Sequence, residues 1–363
     1  MKRRGLGFSL VELMVAITLG TLLTGAVIAV FVGSRSAYQS TSGVGALSNS
    51  GRFALNLIGE TARSAGNFAC DSGIPPTGSA NTSVTLLAGN ALGDTFTTAV
   101  TGFEANGTGN PLGVITLPAA PVVGAAGNWN PNIAPAVFTG AVPAGPVPVQ
   151  GTDVLVLRSS VAGVTPVYVT TDVAIGATTI AVTSPAANAL TAGQYAAISD
   201  CTKSVSFQIA GVAAGSPAAV DVAGGSLPLE FSTGALVAPL NTTVYYIGIG
   251  SDGDGALWRL EQVNGSAFTA EELVPDVEDM QVLYGIDTTG QGSATEYVTA
   301  DLIGINSVLS LQVAVLAASS TGATPVPAAA ITYNLLGNKI TAPLDTRLRK
   351  MFYATISLRS AVD

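Results

Sequence analysis

The segment RRGLGFSLVELMVAITLG, residues 3–20, places one carboxylate, Glu12, inside an apolar run that continues to Val32. Residues 8–32 contain no Lys, Arg or Asp. As a helix they span roughly 37 Å at about 1.5 Å per residue, more than the roughly 30 Å of a bilayer's hydrocarbon core. Lys2, Arg3 and Arg4 precede the run, and Arg35 is the first cation beyond it. That asymmetry predicts a single membrane span with a cytoplasmic N-terminus. An ionised carboxylate in hydrocarbon costs several kcal/mol unless it is paired or neutralised, so Glu12 is a functional candidate whose partner must be found. A plain anchor explains the length of the run but not the carboxylate. A secretory signal cut among the small residues of 26–33 leaves Glu12 equally unexplained.

The junction Gly7-Phe8, followed by SLVELMVA, resembles the class III signal of type IV prepilins and pseudopilins. The resemblance implies that a prepilin peptidase cuts after Gly7 on the cytoplasmic face and methylates the new terminus at Phe8. Glu12 then becomes the fifth residue of the mature chain. Phe8 and Glu12 lie four apart, on one helix face. In that family the glutamate is held to meet the N-terminal amine of a neighbouring subunit. Such a pair adds little net stability, but separating it leaves an unrelieved charge, which makes it a device for setting register.

Beyond Gly33, Tyr38, Val44, Leu47, Phe53, Leu57 and Ile58 leave a loose apolar stripe, interrupted by Gly43, Gly45 and Gly51. A long helix is expected from about residue 8 to 65, soft or kinked around the glycines and ending near Gly66. Its second half is expected to pack on a globular domain. The pattern GRFALNLIGETARSAGNFAC, residues 51–70, together with a later VEDMQVLYGID, residues 277–287, resembles PilW-type minor pilins.

Composition fits an exported, β-rich chain. Its 363 residues are 48% hydrophobic and only 10% charged, with 42 Gly, 19 Pro and a formal charge of −9. An acidic balance gives nucleic acid no bulk attraction. The absence of histidine excludes Ser-His and Cys-His catalysis and His-ligated metals. Cys70 and Cys201 form no metal-binding spacing; one structural disulfide is the simplest reading in an exported chain, and two buried thiols are the other.

Residues 67–150 read as a Gly/Pro-rich, loop-dominated lobe anchored by Trp129, and 151–363 as a β-rich domain. TDVLVLRSS, TTIAVTS, QYAAISDCTKSVSFQIAG, INSVLSLQVAVLAAS and RLRKMFYATISLRS read as strands, and SDGDG as a hairpin tip between TTVYYIGIG and ALWRLEQVNG. EELVPDVEDMQ reads as a short acidic helix after Pro275. Gly248, Gly250 and Gly253 match a dinucleotide fingerprint, but a strand-like run follows where a helix is required. Asp252 and Asp254 lack EF-hand spacing. The acidic run 271–279 carries no partner base for catalysis. Arg347, Arg349 and Lys350 suit a charged edge strand better than a DNA contact.

The expected architecture is α+β and pilin-like: a leader at 1–7, a membrane helix at 8–33, its periplasmic continuation at 34–66, and a β-rich region packed on it. The resemblance implies a non-enzymatic minor pilin without cofactor. Its partners would be the prepilin peptidase, other minor pilins, the major pilin and the inner-membrane assembly machinery. A surface or DNA ligand is conceivable from the roles of such pili. The chain would reside in the inner membrane, C-terminal domain in the periplasm, before entering a pilus. A minor pseudopilin of a type II secretion system and a membrane-anchored adhesin are the rival readings.

Overall fold

A computed structural model of the chain describes residues 9–70, 82–85, 96, 98–108, 113–161, 163–165, 167–184, 190–264, 267–304, 308–325 and 329–358. Helix α1 (Leu10–Ser64) comes first. It is followed by β1 (Thr82–Thr85), β2 (Val100–Ala105), β3 (Val114–Thr116), β4 (Trp129–Asn130) and the short helix α2 (Ala136–Thr139). Next are β5 (Val154–Ser160), β6 (Val167–Tyr168), β7 (Thr179–Val182), β8 (Tyr195–Ser199), β9 (Lys203–Ala213), β10 (Ala218–Val222) and β11 (Leu236–Ile249). The last third holds β12 (Gly255–Asn264), β13 (Ala267–Pro275), β14 (Val277–Ile286), β15 (Glu296–Val298), a 3-10 turn (Ala300–Leu302), β16 (Val308–Ala318), β17 (Thr332–Leu335), β18 (Asn338–Thr341) and β19 (Arg349–Ser357). The fold is α+β: a long apolar N-terminal helix on a β-rich body.

Helix α1 continues through Gly43, Gly45 and Gly51 without interruption, contrary to the soft segment expected there. Two of these glycines have a packing role instead. Gly43, Leu47, Gly51, Ala54, Ile58, Gly59 and Ala62 form its buried face, with the spacing of about four residues that one helix face requires. A Cβ on Gly43 would lie 3.0 Å from the Ala323 side chain, and one on Gly51 would lie 2.1 Å from the Phe352 ring. These residues let the helix approach β16 and β19 closely. Gly45 faces open space. The helix ends where Gly66 turns to φ +86° and donates its N–H to Arg158 O at 2.8 Å.

Among the described residues the strands form three sheets, and the far half of the helix docks on the first two. The largest has twelve strands, with the central order β4-β2-β5-β11-β8-β9-β10-β7. β15-β14-β16-β19 form a second sheet and β17-β18-β3 a third. Ala54, Ile58 and Ala62 of α1 share a core with Tyr245 and Leu257 of the large sheet and Met280, Val282, Val313, Val315 and Ile356 of the second. Residues 167–237 build another core around Ile180, Val205, Phe207 and Phe231. β11 joins the two cores: its first half pairs with β6 and β8, its second with β5 and β12.

Two sequence expectations are corrected here. The acidic stretch after Pro275 is a strand, because Val274, Val277, Met280 and Val282 are buried in the sheets and Pro275 closes β13 rather than opening a helix. Asp276, at φ 60°, is the single link between β13 and β14. The Gly/Pro-rich stretch also contributes more than loops: β2 pairs with β5 inside the large sheet and β3 pairs in parallel with β18. Trp129 anchors this part, 2% exposed and donating Nε1–H to Thr152 O at 2.8 Å.

Candidate assembly surface

Among the described residues, nothing packs against the N-terminal part of α1. From Leu10 to Phe31 its large apolar side chains are uncovered, Leu10 at 74% and Phe31 at 67% exposure. One helix is thus long and apolar enough to cross a membrane, and the membrane-like window is 0% buried. The polar groups in this stretch are satisfied locally. Thr18 Oγ1 donates to Val15 O at 2.9 Å, Thr21 Oγ1 to Thr18 O at 2.9 Å and Thr24 Oγ1 to Gly20 O at 2.8 Å. Hydroxyls folded onto their own helix can enter hydrocarbon at little cost.

At its first turn the helix carries a capping box. Glu12 N donates to Ser9 Oγ at 3.1 Å, and Ser9 N donates to Glu12 Oε2 at 3.3 Å. The carboxylate therefore turns back toward the start of the helix, where the macrodipole favours negative charge. Gly7 and Phe8 lie outside the described residues.

Past the other end of the helix, Cys70 is bonded to Cys201 with Cα atoms 4.8 Å apart. Cys201 sits in the β8–β9 turn at φ 66°, and its N–H donates to Ser199 Oγ at 3.1 Å. The bond joins the helix exit to the second core across a sequence separation of 131. Closing so long a loop corresponds to about 5 kcal/mol in the chain-entropy treatment, and measured losses run about 2–5 kcal/mol. Cys201→Ser is expected to lower the thermal midpoint of the full chain by several degrees, read by circular dichroism with and without reductant. An unchanged midpoint would show that the bond carries no stability.

The charged residues picked out from sequence meet in one network. Arg349 donates to Glu278 Oε2 at 2.6 Å and to Asp345 Oδ2 at 2.6 Å. Its hydrogen bonds hold the Asp345 carboxyl below the usual carboxylate range. Arg347 pairs with Asp254, and Lys350 lies over the Phe352 ring at 5.3 Å. The two arginines of the basic cluster are therefore paired with acids of the protein itself. Glu271 pairs with Arg259 at 2.7 Å and Glu272 accepts from Ser251 N at 2.9 Å, so the acidic run is dispersed over several partners. Asp252, Asp254 and Asp276 bring carboxylate oxygens within 4.8 Å of one another, with Arg347 supplying positive charge. Asp252 Oδ1 accepts Asp254 N at 3.0 Å in the hairpin turn, and β12 follows where a dinucleotide site needs a helix.

Sequence reading missed Glu104 and Asp153, two acids buried at the seam between sheets, where Asp279 of the acidic run is buried as well. Burial, above all, pushes the Glu104 and Asp279 carboxyls up to about 7, and raises Asp153 well above its usual value. The strand pattern predicts which residues face inward, but these acids come from distant segments that only the sheet pairing brings together.

The comparisons fall on the two ends of this arrangement. A model of the prokaryotic N-terminal methylation motif matches residues 2–28, and the type IV pilus-assembly protein W family model matches residues 244–360. Together they support a minor pilin of a type IV pilus. The second match runs from the end half of β11 through β19, and so includes the strands on which α1 docks. Residues 29–243, with the disulfide and the second core, lie outside both matches. Among solved structures, a type IV-like pilin from Thermus thermophilus is similar at 21% identity, over 34% of this chain and 70% of that one, with a TM-score of 0.23. No curated protein matches the chain.

Proposed function

We propose that the chain is a PilW-type minor pilin that is cut after Gly7, methylated at Phe8, and held in the inner membrane by residues 8–33 with its β-rich domain in the periplasm. From there it joins other minor pilins in a tip or priming complex from which the major pilin polymerises, supporting pilus biogenesis, twitching motility, adhesion or DNA uptake. Its mechanism is packing and register rather than bond chemistry. The observation that carries this reading is the uncovered apolar helix, opened by a capped carboxylate and rigidly docked at its far end. A helix exposed on all sides over its first twenty residues must be covered by lipid or by other helices. Once the leader is gone, the new amine belongs to the residue next to Ser9, whose N–H Glu12 already accepts. A charge-neutral pair of Glu12 with that amine, or with a neighbour's, removes the cost of taking the carboxylate into hydrocarbon.

Mass spectrometry of the membrane-extracted N-terminus tests the reading. Loss of residues 1–7 with a methylated Phe8 is the expected result. An intact Met1, or a terminus near residue 30, would sink it.

A further inference from the structure

Asp153 joins two sheets with one side chain. Its Oδ1 accepts Ala105 N of β2 at 3.0 Å, and its Oδ2 accepts Val282 N of β14 at 2.8 Å. Its own N–H donates to Met280 O at 2.9 Å. The residue is 2% exposed. Beside it stands Glu104, also buried; Oε1 accepts Thr108 Oγ1 at 2.8 Å and the backbone of Ala300 bonds the same carboxyl. Glu104 Oε2 has no hydrogen-bond partner, and neither has the buried hydroxyl of Tyr284 on β14. That hydroxyl packs against Gly102, two residues before Glu104, where a Cβ would lie 1.8 Å from it.

The groups acting on this pair are all acids. Glu104 and Asp153 act on each other, Asp279 of β14 acts on Asp153, Asp301 of the 3-10 turn acts on Glu104, and Tyr284 feels both carboxyls. Arg158, the buried cation of β5, donates instead to Thr98 O and Thr101 Oγ1. Two carboxylates in a low-dielectric seam repel and lose hydration, so one proton is retained by the pair. The geometry says where it sits. Both oxygens of Asp153 accept N–H groups, which suits the ionised form, whereas Glu104 Oε2 has room for an O–H.

We propose that Glu104, Asp153 and Tyr284 form a proton-gated clamp, which holds β2 to β14 while the carboxyl pair keeps one proton and loosens when that proton leaves. The sign follows from linkage. The folded state binds more protons than the unfolded chain between the ordinary carboxylate range and the folded value, so the clamp's contribution is full below the ordinary carboxylate range, falls as pH rises through that window and is gone once pH has passed the folded value.

Trp129 reports on the seam, since its indole bonds to Thr152 O and its strand pairs with β2 through Glu104 and Asn130. The test uses the full chain in detergent micelles with Trp258→Phe, leaving Trp129 as the sole tryptophan of two. Amide exchange at Ala105 and Val282, corrected for intrinsic rates, and quenching of Trp129 are followed from about pH 5 to 9. Protection should fall about tenfold or more between about pH 5 and neutrality and level off above it, one pH unit's worth of linked free energy. Asp279, which acts on Asp153 and is also pushed up to about 7, is first replaced by Asn; in that background Glu104→Gln should make the profile flat, because Asp153 can then ionise without a charged neighbour. Infrared spectroscopy of the Asp279→Asn chain with native Glu104 should show at about pH 5 a protonated carboxyl band that disappears as pH rises through neutrality, a readout independent of whether the Glu104 variant folds. A flat profile with Glu104 present, an unchanged profile in Glu104→Gln, or no protonated carboxyl band would each overturn the clamp.

Discussion

Gly51→Val is expected to lower the thermal midpoint of the domain by about 5–10 °C, while Gly45→Ala, six residues earlier on the same helix, raises it slightly. The two glycines look alike in sequence and differ in surroundings. A Cβ at position 51 would stand 2.1 Å from Phe352 Cδ2, 2.4 Å from Cε2 and 2.6 Å from Cγ. That is a collision with the body of a ring rather than with the end of a flexible chain. Forcing methylenes into a packed site costs about 1–3 kcal/mol or more, which outweighs the roughly 1 kcal/mol a helix gains when glycine is replaced. At position 45 nothing lies within 4 Å, so only the gain applies. Thermal melts of both variants decide the matter. Phe352→Leu added to Gly51→Val should recover part of the loss. Equal midpoints for the two glycine variants would mean that helix and sheet do not meet through Gly51.

Glu12→Ala is expected to leave membrane insertion and processing largely intact and to reduce incorporation into pili at least a hundredfold. The variant makes the helix more apolar and leaves the Gly7-Phe8 junction unchanged. On the proposed function it removes the counter-charge for an N-terminal amine in hydrocarbon, and breaking a buried ion pair costs about 3–5 kcal/mol. Glu12 also accepts Ser9 N in the capping box, so a loss of the cap must be separated from a loss of charge. Glu12→Gln does this, because an amide oxygen can still accept from Ser9 N but carries no charge. If both variants fail to assemble, the charge is what matters. If Glu12→Gln assembles normally, the residue acts as a cap. Normal piliation by Glu12→Ala would remove Glu12 from assembly altogether. Processing, membrane level and co-purification of partner minor pilins are compared in a strain lacking the native copy.

The helix and most strands were legible because their signals are local. An apolar run behind a basic prefix, and β-branched runs between turn residues, carry their own periodicity. The misread places depend on residues far away in sequence. Gly43 and Gly51 suggested weakness in α1 because their packing partners, Ala323 and Phe352, are some 300 residues distant. The acidic run after Pro275 suggested a helix because charge is dense there, whereas Arg347 and Arg349, some 70 residues on, pair with Glu278 and make a strand of it comfortable. The buried acids were invisible for the same reason: Asp153 opens an ordinary-looking strand, and only the meeting of β2 with β14 turns it into a buried joint.

The uncovered helix also sets a height. In the membrane placement proposed above, the apolar run from Leu10 to Val32 fills the hydrocarbon layer with some length to spare, and among the described residues the body first grips the helix at Ser40, whose hydroxyl donates to Ala323 O. Between them lie residues 33–39, all exposed, a polar collar of about 10 Å at 1.5 Å per residue. The headgroup layer on one side of a bilayer is only about 5–8 Å deep. In that placement the folded body stands clear of the lipid on a helical stalk instead of resting on it. A subunit drawn outward along its own axis has to give up lipid contacts alone, since every helix contact made by the body lies beyond the collar and travels with it.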